Sequence, residues 1–240
     1  MRSIAVLIAV ALCACGDNYA LGFYFTYDSE RYVLCPQKLD DDREPLKWDQ
    51  IEKRIADAAE LDWVYGLYAH RPGVSISNET LERALDLVDA AGLPYLRYQD
   101  LDPTAEPAPG VMISFDDDYI EEWASIRDIL DRHGAKATFF VTRYAAFTES
   151  ERAELHRFAD EGHGVEAHGM VHLDATVYAA EHGIQAYLDD EVLPSIEILR
   201  NDGFDTQSFA YPFGAHDDAL DEAIHPYVRY VRTIGSRCPY

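Results

Sequence analysis

Apolar residues recur along this chain in two rhythms. Ile51, Ile55, Ala58 and Ala59 fall at helical spacing and predict a helix from Asp49 to Leu61. Trp63-Val64-Tyr65-Gly66-Leu67-Tyr68-Ala69 is instead an unbroken apolar and aromatic run closed off by Arg71-Pro72-Gly73, which predicts a buried strand. Ser77-Asn78-Glu79-Thr80 reads as a capped helix start, continuing to Ala91 and stopping at Gly92. A short strand follows at 95–98, then a Pro-rich loop over 103–110. From there the pattern alternates: strand 111–115, helix 119–133, strand 137–141, helix 150–161, strand 165–167, a long helical stretch to Arg200 containing Pro194, strand 208–211, helix 217–224 and strand 228–234. Strand and helix in succession predict an α/β fold with parallel strands and helices outside them. A (β/α) barrel, distorted or incomplete, and an open doubly wound sheet both satisfy the pattern, and in either one chemistry gathers at the carboxyl ends of the strands. Residues 16–47 are polar and mixed, with Leu39-Asp40-Asp41-Asp42-Arg43-Glu44-Pro45 reading as a solvated loop.

With 240 residues, 48% of them hydrophobic, the chain can build one substantial core but not two large domains. Acidic residues outnumber basic ones 44 to 20, a net charge of −24. Nucleic acid and anionic lipid are therefore poor partners, whereas a neutral or cationic one fits; solubility alone would also account for the charge. Met1-Arg2-Ser3 and the apolar run Ile4–Leu12 have the size of a signal-peptide core and are too short to span a bilayer. Leu12, Ala14 and Cys15 resemble a bacterial lipobox. Residues 1–14 are then a lipoprotein signal and Cys15 the lipid attachment, anchoring the mature chain to a bacterial membrane outside the cytoplasm; a secretory signal without lipid is the alternative. In such a compartment Cys35 and Cys238 either pair, stapling the two ends of the chain together, or remain thiols.

Three strand ends carry the candidate chemistry. Asp116-Asp117-Asp118 stands where the 111–115 strand runs out, and consecutive carboxylates at an apolar tip are costly unless they bind a cation or share protons. His168-Gly169-Met170-Val171-His172 follows the 165–167 strand, and a helical i, i+4 spacing would put both imidazoles on one metal. Tyr211-Pro212-Phe213-Gly214 ends the 208–211 strand. With nine histidines in the chain the His pair means little alone, and an Asp run in so acidic a protein means less. Position on one rim changes the odds. Two His and one Asp make an open shell suited to a divalent ion, zinc first, with cobalt or nickel as alternatives.

Ile113-Ser114-Phe115-Asp116-Asp117, Glu161 to His172 and Phe209-Ala210-Tyr211-Pro212-Phe213-Gly214 resemble, in order and spacing, the three leading motifs of the polysaccharide deacetylase family (NodB homology, carbohydrate esterase family 4). The resemblance spans 111–235 and implies a catalytic domain over 48–240, with 15–47 as an N-terminal extension. It also implies Asp116 as general base, Asp117, His168 and His172 as metal ligands, the Phe213 N–H as oxyanion donor and Tyr211 beside the substrate. Three positions depart from the pattern: Ala210 stands where many members have an arginine aimed at the base, Asp118 replaces a small residue, and Gly169 replaces Ser or Thr. The family's late histidine, a general acid, has no room after residue 235. Residues 63–72 resemble that late strand moved to the front, as in the circularly permuted poly-N-acetylglucosamine deacetylases, which makes His70 the acid; a surface imidazole before Pro72 is the alternative.

The implied reaction is removal of N-acetyl groups from an extracytoplasmic N-acetylated polysaccharide. O-deacetylation, or glycan binding with weak or no catalysis, are the competing readings. Glycoside hydrolysis needs two acids several ångströms apart across the bond, which contiguous aspartates supply poorly. Among other residues, Tyr119, Tyr144 and Tyr211 are candidates for stacking on sugar. His163 reads as a loop or helix-end residue, and His216-Asp217-Asp218 as a helix cap.

Overall fold

Strand β6 (Gly110–Asp117) sets the pattern of the molecule: Val111, Ile113 and Phe115 face the helical layer, while Met112, Ser114 and Asp116 alternate toward the other face. A computed structural model describes residues 22–27 and 31–239, so the signal-like segment and Cys15 lie outside the described residues. Short strands β1 (Tyr24–Phe25), β2 (Val33–Leu34) and β3 (Gln37–Lys38) precede β4 (Val64–Ala69) and β5 (Tyr95–Leu96). After β6 come β7 (Ala137–Val141), β8 (Gly164–Ala167), β9 (Ser208–Ala210) and β10 (Tyr230–Arg232). The sheet runs β1-β4-β6-β7-β8-β9-β10-β2, with β3 on β4 and β5 on β6, and every pairing except β1 with β4 is parallel.

The result is a nearly closed barrel, one of the two arrangements the sequence allows. Residues 33–38 span its seam: Val33 and Leu34 pair with Val231 and Arg232 of β10, and three residues later Gln37 and Lys38 pair with Leu67 and Tyr68 of β4. A Cβ on Gly66 would stand 3.1 Å from Pro36 Cβ, so glycine there lets the seam segment approach β4. Cys35 and Cys238 are joined in a disulfide at this seam, resolving the alternative left open by the sequence. The segment 16–47 is thus less loop-like than its composition indicates, since its described part supplies three strands of the sheet.

Helices cover the outside. α1 (Trp48–Leu61) buries Ile51, Ile55 and Ala58, and α2 (Asn78–Ala90) is capped by Ser77, whose side chain accepts the Thr80 N–H. The helix expected over 119–133 is two, α3 (Ile120–Ser125) and α4 (Arg127–Arg132). Ser125 Oγ bonds back to the Glu122 carbonyl at 2.6 Å and the backbone leaves helical geometry at buried Ile126. α5 (Glu149–Asp160) opens on a Thr148/Glu151 capping box. The long stretch before Arg200 breaks into α6 (Ala175–His182), α7 (Ile184–Tyr187), a π-helical turn (Leu188–Val192) and α8 (Leu193–Asn201), with Pro194 tolerated in the first turn of α8. α9 (Asp218–Ile224) is capped by Asp217. No helix among the described residues is long and apolar enough to cross a membrane.

Candidate active site

The carboxyl ends of β4, β6, β8, β9 and β10 meet around a cavity of about 220 Å³ lined by Tyr68, His70, Asp116, Asp117, His168, His172, Tyr211, Phe213, Gly214, Arg232 and Ile234. A larger surface groove of about 510 Å³ beside α3 and α5 is occupied by the Arg127–Glu154 pair and brings together no comparable set.

Asp116 and Asp117 separate by backbone geometry. Asp116 follows the inward alternation of β6 and is 2% exposed. Asp117 closes the strand with φ +89, a left-handed conformation costly for a non-glycine residue, which re-aims its carboxylate along the rim. There its Oδ1 lies 3.5 Å from His168 Nε2 and 3.1 Å from His172 Nε2. One ligand atom from each of the three residues falls within 4.8 Å of the others. Burial pushes the Asp117 carboxyl up, but hydrogen bonds from His168 and His172 outweigh it and hold the group well below the usual carboxylate range. His168 Nδ1 lies 2.9 Å from the Ala210 carbonyl, which can only accept, so Nδ1 carries a proton and the ring is held with Nε2 toward Asp117. Three oriented donors with an open side fit a divalent ion.

His168 and His172 do not share a helical face. Residues 168–173 form an irregular loop, with Gly169 at φ +85 and His172 at φ +72, and these two left-handed residues, not a helical face, bring the imidazoles to 5.0 Å between centroids.

His70 stands on the opposite wall. Its Nδ1 is 2.5 Å from Asp40 Oδ2, its backbone N–H donates to Asp40 Oδ1 at 3.0 Å, and Ser75 Oγ donates to the same oxygen at 2.9 Å. Its Nε2 lies 4.0 Å from Asp116 Oδ2. Burial works against a charged imidazole, but the Asp40 bond and the charges of Asp116, Asp40 and Asp117 outweigh it, so the pKa is raised above the ordinary histidine value. The loop expected to be solvated is therefore part of the site: Asp40 is 4% exposed and Leu39 fully buried. Asp41 anchors the start of α2 through Ser77 and Thr80.

Arg232 was not singled out by the sequence. It is fully buried at the end of β10, its guanidinium forms an ion pair with Asp116 Oδ1, and it packs over the rings of Phe140 (4.9 Å) and Tyr68 (5.1 Å). In the parallel ladder Arg232 is the direct partner of Ala210. The arginine that the motif lacks at 210 is thus supplied one strand over, from the same register level and the same inner face, where the small Ala210 leaves it room. Burial disfavours its charge, but the Asp116 carboxylate more than compensates. The strand predicted over 228–234 holds two arginines, Arg229 and Arg232, and only the structure shows that Arg232 is the buried one.

Phe213 lies in the turn after β9 with φ +59, its ring 56% exposed and 4.6 Å from His172. The hydrogen bonds of this turn use the N–H groups of Gly214 and Ala215. Tyr211 lines the cavity, but its side chain is fully buried and its hydroxyl donates to Asp221 at 2.8 Å, so it offers no stacking face. Tyr144 is likewise buried, with its hydroxyl on Asp202; of the three tyrosines only Tyr119 is partly open, beneath Arg71. Asp118 pairs with Arg143 at 3.1 Å. His163 is buried between α5 and β8 and accepts the Ala137 N–H, with its pKa pushed down to about 4 by burial. His216 bonds Asp221, while Asp217 alone of the 216–218 trio caps α9.

Residues 104–227 match the family model described as polysaccharide deacetylase. Among solved structures, IcaB from Ammonifex degensii is similar with a TM-score of 0.58 at 18% identity, over 72% of this chain and 88% of that one. A de-N-acetylase from Aggregatibacter actinomycetemcomitans gives 0.55 at 14%, over 71% and 94%. The deacetylase domain of BpsB from Bordetella bronchiseptica gives 0.53 at 16%, over 64% and 76%. At these identities the likeness is one of fold. A search of curated proteins gives no match.

Proposed function

The chain belongs to the polysaccharide deacetylase family, and from that premise we propose that it removes N-acetyl groups from an N-acetylglucosamine-containing polysaccharide outside the cytoplasm, with a divalent metal, zinc first. The observation that carries this reading is the convergence of Asp117, His168 and His172 beside Asp116 and His70 in one small cavity. A divalent ion held by Asp117, His168 and His172 supplies Lewis acidity, which makes water acidic enough to ionise near neutral pH and polarises the acetamide carbonyl.

The remaining chemistry belongs to the chain's own side chains. Asp116 has one oxygen committed to Arg232, and its other oxygen, toward His70, takes the proton of the attacking water. The Phe213 N–H, at the cavity edge, donates to the carbonyl oxygen as charge develops on it. His70, held through Nδ1 by Asp40, presents Nε2 to the departing nitrogen and protonates it, without which an amine would be a poor leaving group. Acetate and a glucosamine amine result, and the cationic product suits a protein of net charge −24. His70 precedes the three motifs in the chain, the order of a permuted domain. The signal-like N-terminus and Cys15 motivate the extracytoplasmic, lipid-anchored location.

Acetate release from chito-oligosaccharides tests the reading. The protein with added zinc is expected to release acetate, Asp117→Ala to lose both zinc and turnover, and Asp116→Asn to keep zinc and lose turnover. Wild-type rates in Asp116→Asn would remove the base, and no release with zinc, cobalt or nickel would remove the deacetylase reading of this site.

A further inference from the structure

Glu191 is a fully buried carboxylate on the π-helical turn Leu188–Val192, remote in sequence from every motif of the site. Its Oε2 accepts the Val171 N–H at 2.9 Å and its Oε1 the Leu173 N–H at 2.7 Å, while its own carbonyl accepts the Met170 N–H at 3.1 Å. One residue therefore ties down the backbone on both sides of His172. The loop 169–173 wraps this carboxylate so closely that a Cβ at Gly169 would lie 2.4 Å from Glu191 Oε1. Gly169 also holds φ +85, and its carbonyl accepts from Thr142 Oγ1 at 3.0 Å. A buried charge costs several kcal/mol unless hydrogen bonds compensate it, and here the compensating donors are the loop's own N–H groups. Single π-turns inside helices recur at functional sites because the extra residue re-aims a side chain that regular spacing would misplace.

We propose that Glu191 is the positioning residue that presets metal affinity: by binding the N–H groups of Val171 and Leu173 it holds His172 in its left-handed conformation with Nε2 facing Asp117 before any ion arrives. The departure at Gly169 then has a cause, because Ser or Thr there would collide with the carboxylate that organises the loop. The inference rests on Asp117, His168 and His172 being the metal ligands. Replacing Glu191 by Gln keeps shape and one acceptor but turns an NH₂ toward the other N–H, freeing one side of the loop.

The test is zinc affinity of the full chain, measured by competition with a chromophoric chelator, together with the visible spectrum of the cobalt form. Glu191→Gln is expected to bind zinc about 10- to 100-fold more weakly, the range for residues that orient ligands, with an altered cobalt spectrum and an unchanged circular dichroism spectrum of the metal-free protein. Should Glu191→Gln fail to fold, the charge-preserving but shorter Glu191→Asp replaces it, with the same expected direction. Asp117→Ala serves as reference. If Asp117→Ala binds zinc like wild type, the metal assignment itself fails. If Asp117→Ala loses zinc while the Glu191 variant keeps wild-type affinity and cobalt spectrum, the assignment stands and the role of Glu191 is overturned.

Discussion

Replacing Asp40 by Asn isolates what a buried carboxylate does for His70, the proposed acid, across the cavity from the proposed metal ligands. Asn is nearly isosteric, so Oδ1 keeps the His70 N–H at 3.0 Å and the Ser75 hydroxyl at 2.9 Å. What changes is Oδ2, 2.5 Å from His70 Nδ1, which becomes an amide NH₂ that cannot accept the imidazolium proton. His70 loses its charge-assisted bond and one of the three negative charges that raise its pKa, while the burial that lowers it persists. A charge at this range shifts a pKa by about 1–3 units, roughly 1.4–4 kcal/mol. The acid must be protonated to work, so the alkaline limb of kcat/KM in wild type lies above the ordinary histidine value. In Asp40→Asn it is expected to move down by those about 1–3 units, so that on the alkaline side turnover falls about 10- to 1000-fold. Below both limbs the rates converge. The linkage sign is the same for stability: a raised native pKa stabilises the fold below the unfolded pKa and loses that contribution as pH rises through the native one, so the variant is destabilised mainly in acid. The assay is acetate release across pH 5–10, with zinc content measured in parallel and expected unchanged. A pH profile superimposable on wild type would refute the acid role of His70 or its dependence on Asp40.

Two further outcomes are expected. Arg232→Met leaves Asp116 buried without its cation and should cost about 3–5 kcal/mol in urea unfolding, part of which returns when Asp116→Asn is added; a double-variant cost equal to the sum of the two single-variant costs would show that the pair is not coupled. Phe213→Gly removes a side chain from a left-handed position, so the fold should gain up to about 1 kcal/mol while KM for the oligosaccharide rises. A raised melting temperature with unchanged KM would show that the exposed ring does not contact substrate.

The strand–helix alternation after residue 110 was legible because its strands read as apolar runs and its helical segments stop at Gly134 and Gly162, and the three motif segments could be placed on one rim because parallel strands must all end on the same side. That Asp117 joins His168 and His172, and Asp116 does not, is legible only through the resemblance of the motifs, and the i, i+4 spacing of the histidines does not act through a shared helical face: left-handed residues at 169 and 172 bring the rings together. Backbone dihedrals of this kind leave little mark on composition when the residue is His or Asp and not Gly.

What the sequence by itself determined is local: which segments are strands, which carry carboxylates and imidazoles at their tips, and which family those tips resemble. The tertiary structure alone decided which distant segments serve those tips. Asp40 comes from a run that reads as solvated, and Arg232 from a β10 position opposite Ala210. Glu191 comes from a turn about twenty residues beyond the ligand it holds in place. Each partner is fixed by ladder register, barrel closure or helix packing, contacts that a short window of sequence cannot encode because these buried polar groups find their partners only once segments distant in sequence have packed together.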